Sequence, residues 1–354
     1  MKKICIAVAA LLAGISLVGC SNDEPTTRPT EVPTVEPGQT VTVPSSVKIC
    51  LPDGTPMVAL SNLMAEGLTY DGSLVGDGTT ETVFEAVPAS GIATAFSAYG
   101  ADLAVMPTVT AAQLYAQGNE LVFLSANVFG NLFVVGVGGA RSLEDLTGKV
   151  VYTTAGTTIA LLEYELAANG IAFVLGSEAQ EGVVTLYSMA EASMYLPLIK
   201  QAQVKGGEAY GVLGEPAVTK CMTSVATESY IVADMQAEYE ALTGEAGYPQ
   251  ACLVASKSFV SAYPYYIETL LTKLEGNDLY AKEHAEELPA LFEANGSETL
   301  GGMAFTAETV ERCNLGLVKG AQAKASVEAY LVNLSEYVEA LRDISVEGFF
   351  YNAP

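Results

Sequence analysis

From residue 47 onward, short apolar runs suited to strands alternate with longer runs of helical spacing. That alternation restricts the chain to layered α/β folds. Residues 47–51 predict a first strand. The turn Pro52-Asp53-Gly54-Thr55-Pro56 and an apolar helix to Gly67 follow it. Residues 73–75 predict a short second strand, 91–98 a helix, and 102–106 a buried strand ending at Pro107. Thr110 and Gln113 have capping-box spacing ahead of a helix closed by Gly118. Further strands are expected at 121–125, 149–153, 183–187, 209–213, 230–234 and 250–255, with helices at about 159–168 and 189–203. The remainder reads as mostly helical, with Pro264 suited to a helix's first turn and Gly276 to its end. A body running from 47 to 354 exceeds a comfortable single core, so two lobes are expected.

The residues ahead of that body read as an export signal and a tether. Lys2 and Lys3 precede an apolar run over 4–18, which is too short to span a bilayer comfortably. The segment closes as Leu17-Val18-Gly19-Cys20. Small residues directly before a cysteine match the lipobox of bacterial lipoproteins. By that resemblance 1–19 is a signal peptide, cut before Cys20, and Cys20 carries lipid. Residues 21–46 hold Pro25, Pro29, Pro33, Pro37 and Pro44 among Thr, Ser, Glu and Gln. Such a composition cannot bury a core and stays extended, holding a domain away from a membrane. The expected location is the extracytoplasmic face of a cell membrane, anchored rather than spanning.

The formal charge is −25 before the two signal-peptide lysines are removed, which excludes nucleic-acid binding through a basic face. Of six cysteines, four remain in the mature body: Cys50, Cys221, Cys252 and Cys313. They are widely spaced with no C-x-x-C, so metal and redox motifs are absent and no cofactor is expected. Three sit among apolar neighbours, which favours buried free thiols, although an exported compartment permits disulfides. The one histidine, His284, lies in a charged helical run and reads as part of a solvated face. A Ser-His-Asp or Cys-His nucleophile would need it as base, so an enzyme is not the expected class.

Hydroxyls, glycine and proline recur just past the strand ends, at 52–56, 107–110, 153–158 and 214–216. Ligands in open α/β sheets lie beyond the carboxyl ends of strands, where helix N-termini offer unpaired N–H groups. Thr154-Ala155-Gly156-Thr157-Thr158 is the best single candidate, with an ordinary helix cap as its alternative. Gly156 permits close backbone approach. Asp53 either caps the helix that follows it or meets a ligand amine. No Walker lysine and no G-x-G-x-x-G is present, so a nucleotide site is not expected.

Several stretches resemble one known family, the solute-binding proteins of ABC importers for nitrate, sulfonates, taurine and thiamine-pyrimidine precursors. Ala101-Asp102-Leu103-Ala104-Val105-Met106-Pro107-Thr108 is similar to the family's strand end, and Asn127-Val128-Phe129-Gly130-Asn131-Leu132 to its first crossover. The stretch from Leu143 to Val150 is similar to its approach to the second lobe. The stretch from Gly207 to Pro216 resembles its strand ending in Glu-Pro. The resemblance runs from about residue 47 to the end.

It implies a two-lobed periplasmic-binding-protein fold of type 2, with crossovers near 127–134 and 226–234 and a ligand cleft between the lobes. Lobe one would hold 47–128 and 233–354, and lobe two 133–228. Strand-end chemistry and resemblance together give a candidate ligand set. It comprises Asp53, Gly54, Thr55, Pro56, Met57, Pro107, Thr108, Asn131, Thr154, Gly156, Thr157, Thr158, Ser188 and Glu215. The family's enzyme branch uses histidine and a cysteine-rich iron site, which this sequence lacks. The chain also has no Trp. Its arginines lie in the tether (Arg28), ahead of lobe two (Arg141) and in the C-terminal helices (Arg312, Arg342). An anion would therefore rely on backbone N–H groups and hydroxyls, and a neutral or zwitterionic molecule is equally open. The resemblance implies a monomer that delivers a small molecule to ABC permease subunits. A ligand-sensing or surface lipoprotein of the same fold is the alternative.

Overall fold

The structure, a computed structural model, describes residues 40–98 and 100–353. The expected signal segment, the lipid-bearing Cys20 and tether residues 21–39 lie outside the described residues. In chain order the strands are β1 (Ser46–Pro52), β2 (Glu81–Val87), β3 (Leu103–Pro107), β4 (Leu121–Val128), β5 (Leu132–Val137), β6 (Val150–Thr154), β7 (Phe173–Leu175), β8 (Val184–Met189), β9 (Ala209–Gly214), β10 (Tyr230–Asp234), β11 (Ala251–Ser256) and β12 (Leu315–Lys319). They form two six-stranded sheets, ordered β12-β4-β11-β3-β1-β2 and β10-β5-β9-β6-β8-β7. The molecule is thus α/β and two-lobed.

Strand direction decides where a site can be. In the first sheet β1, β2 and β3 are parallel, and β11 runs antiparallel between β3 and β4. In the second sheet β6, β7, β8 and β9 are parallel, and β5 runs antiparallel to β9. Each antiparallel interior strand is the one that arrives from the other lobe. The chain leaves β4 at Val128 and starts β5 at Leu132, which pairs with Gly214 at the end of β9. It returns into β11 at Ala251, which pairs with Val128. The carboxyl ends of the parallel strands in both sheets therefore point at the connections.

The second connection differs from the sequence expectation. Lobe one was expected to resume at 233, yet β10 adds to the edge of the second sheet by pairing with β5 through Asp234. The Asp234 carboxylate then accepts from the N–H groups of Gln236 and Ala237, capping the helix Met235–Thr243. The crossing lies between that helix and β11. There Gly244 and Gly247 take positive φ. Gly247 leaves no room for a Cβ, which would stand 2.5 Å from the Phe129 carbonyl in the first connection.

Central strands such as β3 and β5 are buried along nearly all their length, as expected of strands covered on both faces. One apolar cluster joins a face of each sheet through Tyr239, Tyr248 and Tyr330. A second fills the other face of the first sheet, and a third the other face of the second.

Some local expectations were wrong. Residues 72–75 are a helical turn, because the Asp71 side chain accepts from Ser73 N and nucleates it. The second strand is instead β2, whose Glu81, Val83 and Glu85 alternate toward solvent at the sheet edge. Thr110 does not cap its helix, which starts two residues earlier at Thr108 after Pro107. Gly276 does follow the end of the helix Pro264–Leu274, directly after its C-cap Glu275, and the next helix starts at once at Asn277. Strands β7 and β12 were also missed; both are short and lie at or beside sheet edges.

Candidate ligand site between the lobes

The connections bring Thr55, Asn131 and Glu215 into one buried cluster. Thr55 opens the helical turn Thr55–Val58 that follows β1 in lobe one, and Glu215 follows β9 in lobe two. Thr55 Oγ1 donates to the Glu215 carbonyl oxygen at 2.7 Å, and Asn131 Nδ2 donates to Thr55 Oγ1 at 2.5 Å. The hydroxyl has one proton, spent on Glu215, so Asn131 must present its N–H to Thr55. That fixes the amide: Asn131 Oδ1 points the other way, buried and with no hydrogen-bond partner. The Asn131 N–H donates to Gln250 Oε1, and the Gln250 carbonyl accepts from Thr108 N. Gln250 thus ties the first connection to the end of β3.

The Glu215 carboxylate is wholly buried and accepts three hydrogen bonds. Oε1 accepts from Arg312 Nε at 2.5 Å and from Thr219 Oγ1 at 3.0 Å; Oε2 accepts from Thr219 N at 3.1 Å. Arg312 ends the helix Ala307–Arg312 of lobe one and also donates to Glu308 Oε1 and to Thr219 Oγ1. Burial pulls the guanidinium pKa down, but Glu215 and Glu308 outweigh it and the net direction is upward. With Glu215 held by an arginine of the same chain, its carboxylate is not presented to a ligand in this conformation.

The remaining candidates divide into four groups. Asp53 accepts from Ser297 Oγ, Glu298 N and Thr299 N, and it does not cap the helix that follows it. Met57 is wholly buried in the lobe-one core. Thr108 is also wholly buried, with the Cys252 thiol as a neighbour of its hydroxyl. Gly54, Pro56 and Pro107 remain partly open at the lobe-one strand ends.

Thr154, Gly156, Thr157, Thr158 and Ser188 stay accessible at the lobe-two strand ends. Gly156 has φ 80 and precedes the helix Thr157–Ala168, which no side chain caps. The first-turn N–H groups of Thr157, Thr158 and Ile159 have no intrahelical acceptor and carry the positive end of the helix dipole. Open space surrounds Gly156 where a Cβ would stand.

No protein-family model matches the sequence, and no curated protein matches it. Solved structures do match. An ABC transporter structure from Parabacteroides distasonis is 18% identical with a TM-score of 0.67, covering 88% of this chain and all of that one. The periplasmic aliphatic sulphonate binding protein SsuA from Escherichia coli is 13% identical with a TM-score of 0.60, covering 87% of this chain and 98% of that one. The alkanesulfonate-binding protein SsuA from Xanthomonas axonopodis pv. citri, bound to MOPS, is 14% identical with a TM-score of 0.56, over 86% and 96%. The chain has a periplasmic-binding-protein fold.

Within this periplasmic-binding-protein fold, sequence reading missed Arg312, Thr219, Thr309 and Gln250. Arg312 reads locally as half of a surface pair with Glu308, four residues earlier. Nothing nearby in sequence announces Glu215, 97 positions away. Among the described residues no group of acidic, His and Cys side chains could hold a metal ion, and no helix is long and apolar enough to cross a membrane.

Proposed function

We propose that this chain is the extracytoplasmic substrate-binding lipoprotein of an ABC importer. It captures a small polar or anionic molecule between its lobes and passes it to permease subunits. The observation that carries this reading is the convergence of the parallel-strand ends of both sheets on the two connections, with an uncapped helix start at Thr157 on one side. The fold likeness to proteins named for alkanesulfonate and sulphonate binding supports the same class of role.

In this reading the ligand's acceptor end meets the Thr157, Thr158 and Ile159 N–H groups and the hydroxyls of Thr154, Thr157, Thr158 and Ser188. Asn131 Oδ1, a buried acceptor without a partner, takes a donor from the ligand. Gly54, Pro56 and Pro107 close the site from lobe one. The protein acts as a monomer, held to the membrane by diacylglycerol on Cys20.

Two experiments test the parts separately. Native mass spectrometry of the purified body, followed by calorimetry with the compound found, should show binding that Thr157→Ala and Asn131→Leu each weaken at least about tenfold, the equivalent of one charge-assisted hydrogen bond. Unchanged affinity in both folded variants rejects the site. Radiolabelled palmitate should enter the wild type and not Cys20→Ala; label in neither rejects the anchor.

A further inference from the structure

The two lobes are joined by more than their connections. Arg312 of lobe one reaches Glu215 of lobe two through Nε, and reaches Thr219 of lobe two through Nη2 at 2.9 Å. Thr309 of lobe one brings its hydroxyl within 3.2 Å of Thr219 Oγ1. The Glu215 side chain has no exposed surface, whereas Arg312 keeps 19% of its own and a second partner in Glu308, itself 78% exposed. We infer that Arg312 and Glu215 form an interlobe latch that favours the closed arrangement of the lobes.

The electrostatics of the latch are asymmetric. With the lobes in contact the Glu215 carboxylate is out of water, and Arg312 is its one charged donor. A buried ion pair roughly breaks even against its own desolvation, but removing one partner leaves the other charge uncompensated. Loss of Arg312 leaves a wholly buried carboxylate with only Thr219 as donor. The closed form then becomes expensive, while the open form lets Glu215 rehydrate. Loss of the Glu215 charge is milder, because Arg312 retains Glu308 and some contact with solvent. Loss of both removes the uncompensated charge altogether. The latch therefore predicts an order of opening: Arg312→Met most, Glu215→Gln and the double variant less, and all three more open than wild type.

This inference deepens the binding-protein reading, since a latch matters where lobes open to admit a ligand. Its test needs no ligand and can fail or succeed apart from that reading. The full mature chain, ligand-free, is measured by small-angle X-ray scattering in low and high salt, with circular dichroism to establish that each variant is folded. Wild type should be compact. Arg312→Met should shift the closed-to-open ratio by about tenfold or more toward the extended form. Glu308→Gln, which touches the same arginine within lobe one, should scatter like wild type. Arg312→Lys keeps the charge without the two-pronged contact and should fall between wild type and Arg312→Met. The latch is rejected if folded Arg312→Met stays as compact as wild type. It is equally rejected if Glu215→Gln opens more than Arg312→Met, or if Glu308→Gln opens as much.

Discussion

Asn131 donates from Nδ2 to Thr55 Oγ1 at 2.5 Å, and through that contact the first interlobe connection grips the first helical turn of lobe one. The Thr55 hydroxyl is a relay, accepting a hydrogen bond from Asn131 and donating its own to the Glu215 carbonyl. Thr55→Val keeps the shape and removes both bonds, leaving an amide N–H and a carbonyl short of partners. Stability should fall by about 1–3 kcal/mol, while Thr55→Ser should stay near wild type. Urea denaturation checks this; equal midpoints for Thr55→Val and wild type would remove the relay from the account.

Asp53 holds the turn at 297–299 with three hydrogen bonds, two of them from backbone N–H groups. Asp53→Ala should cost about 1–3 kcal/mol by orphaning those donors. Asp53→Asn, which retains one acceptor oxygen, should lose less. Neither substitution should alter ligand affinity in protein that remains folded, so calorimetry separates this structural role from the ligand contact expected from sequence.

The strands were largely legible because their signal is local. Residues 102–107 and 209–214 are apolar runs stopped by Pro or Gly-Glu-Pro, and both are strands in the structure. What the sequence concealed depends on distance. Asp53 sits in a turn motif that suits a helix cap, and only the fold reveals that 297–299 lies beside it. Edge strand β2 carries two glutamates in seven residues, which hides its pairing with β1. The lobe boundary slipped because 230–234 looks like a crossover when read alone and becomes a strand only by pairing with β5.

Glu165 lies in the helix Thr157–Ala168 with its carboxyl wholly buried and neither oxygen hydrogen-bonded. Burial pushes its pKa well above the ordinary glutamate value, and the nearby Glu238 and Asp234 push in the same direction. The unfolded chain ionises this group near its ordinary pKa of about 4.3, while the folded protein keeps the proton. Stability from this group is therefore greatest below that pH and declines as pH rises toward the raised folded pKa, by up to about 1.4 kcal/mol per pH unit. Glu165→Gln removes the dependence. Melting followed from pH 4 to pH 8 should show a flatter curve for the variant; parallel curves would mean that Glu165 does not titrate as described.

Gly130 has φ 96, and a Cβ there would stand 2.7 Å and 2.8 Å from ring atoms of Tyr248. Gly130→Ala therefore meets both an unfavourable backbone region and a clash between the two connections. A loss of about 2 kcal/mol or more is expected, read from the denaturation midpoint. A loss under about 0.5 kcal/mol would mean that the connections separate easily at this point.

Cys50, Cys221, Cys252 and Cys313 are all buried as free thiols. Burial lifts Cys50 to about 11 and Cys252 to about 12, and moves Cys221 and Cys313 upward as well. Thiolate is the reactive form, so at neutral pH these groups should be almost inert to maleimides in the folded protein and react on denaturation. The described body is in effect chemically blank toward thiol probes. One cysteine placed on the surface of each lobe would then carry a dye pair without background, and the spacing between lobes could be followed in a single molecule as solutes are added.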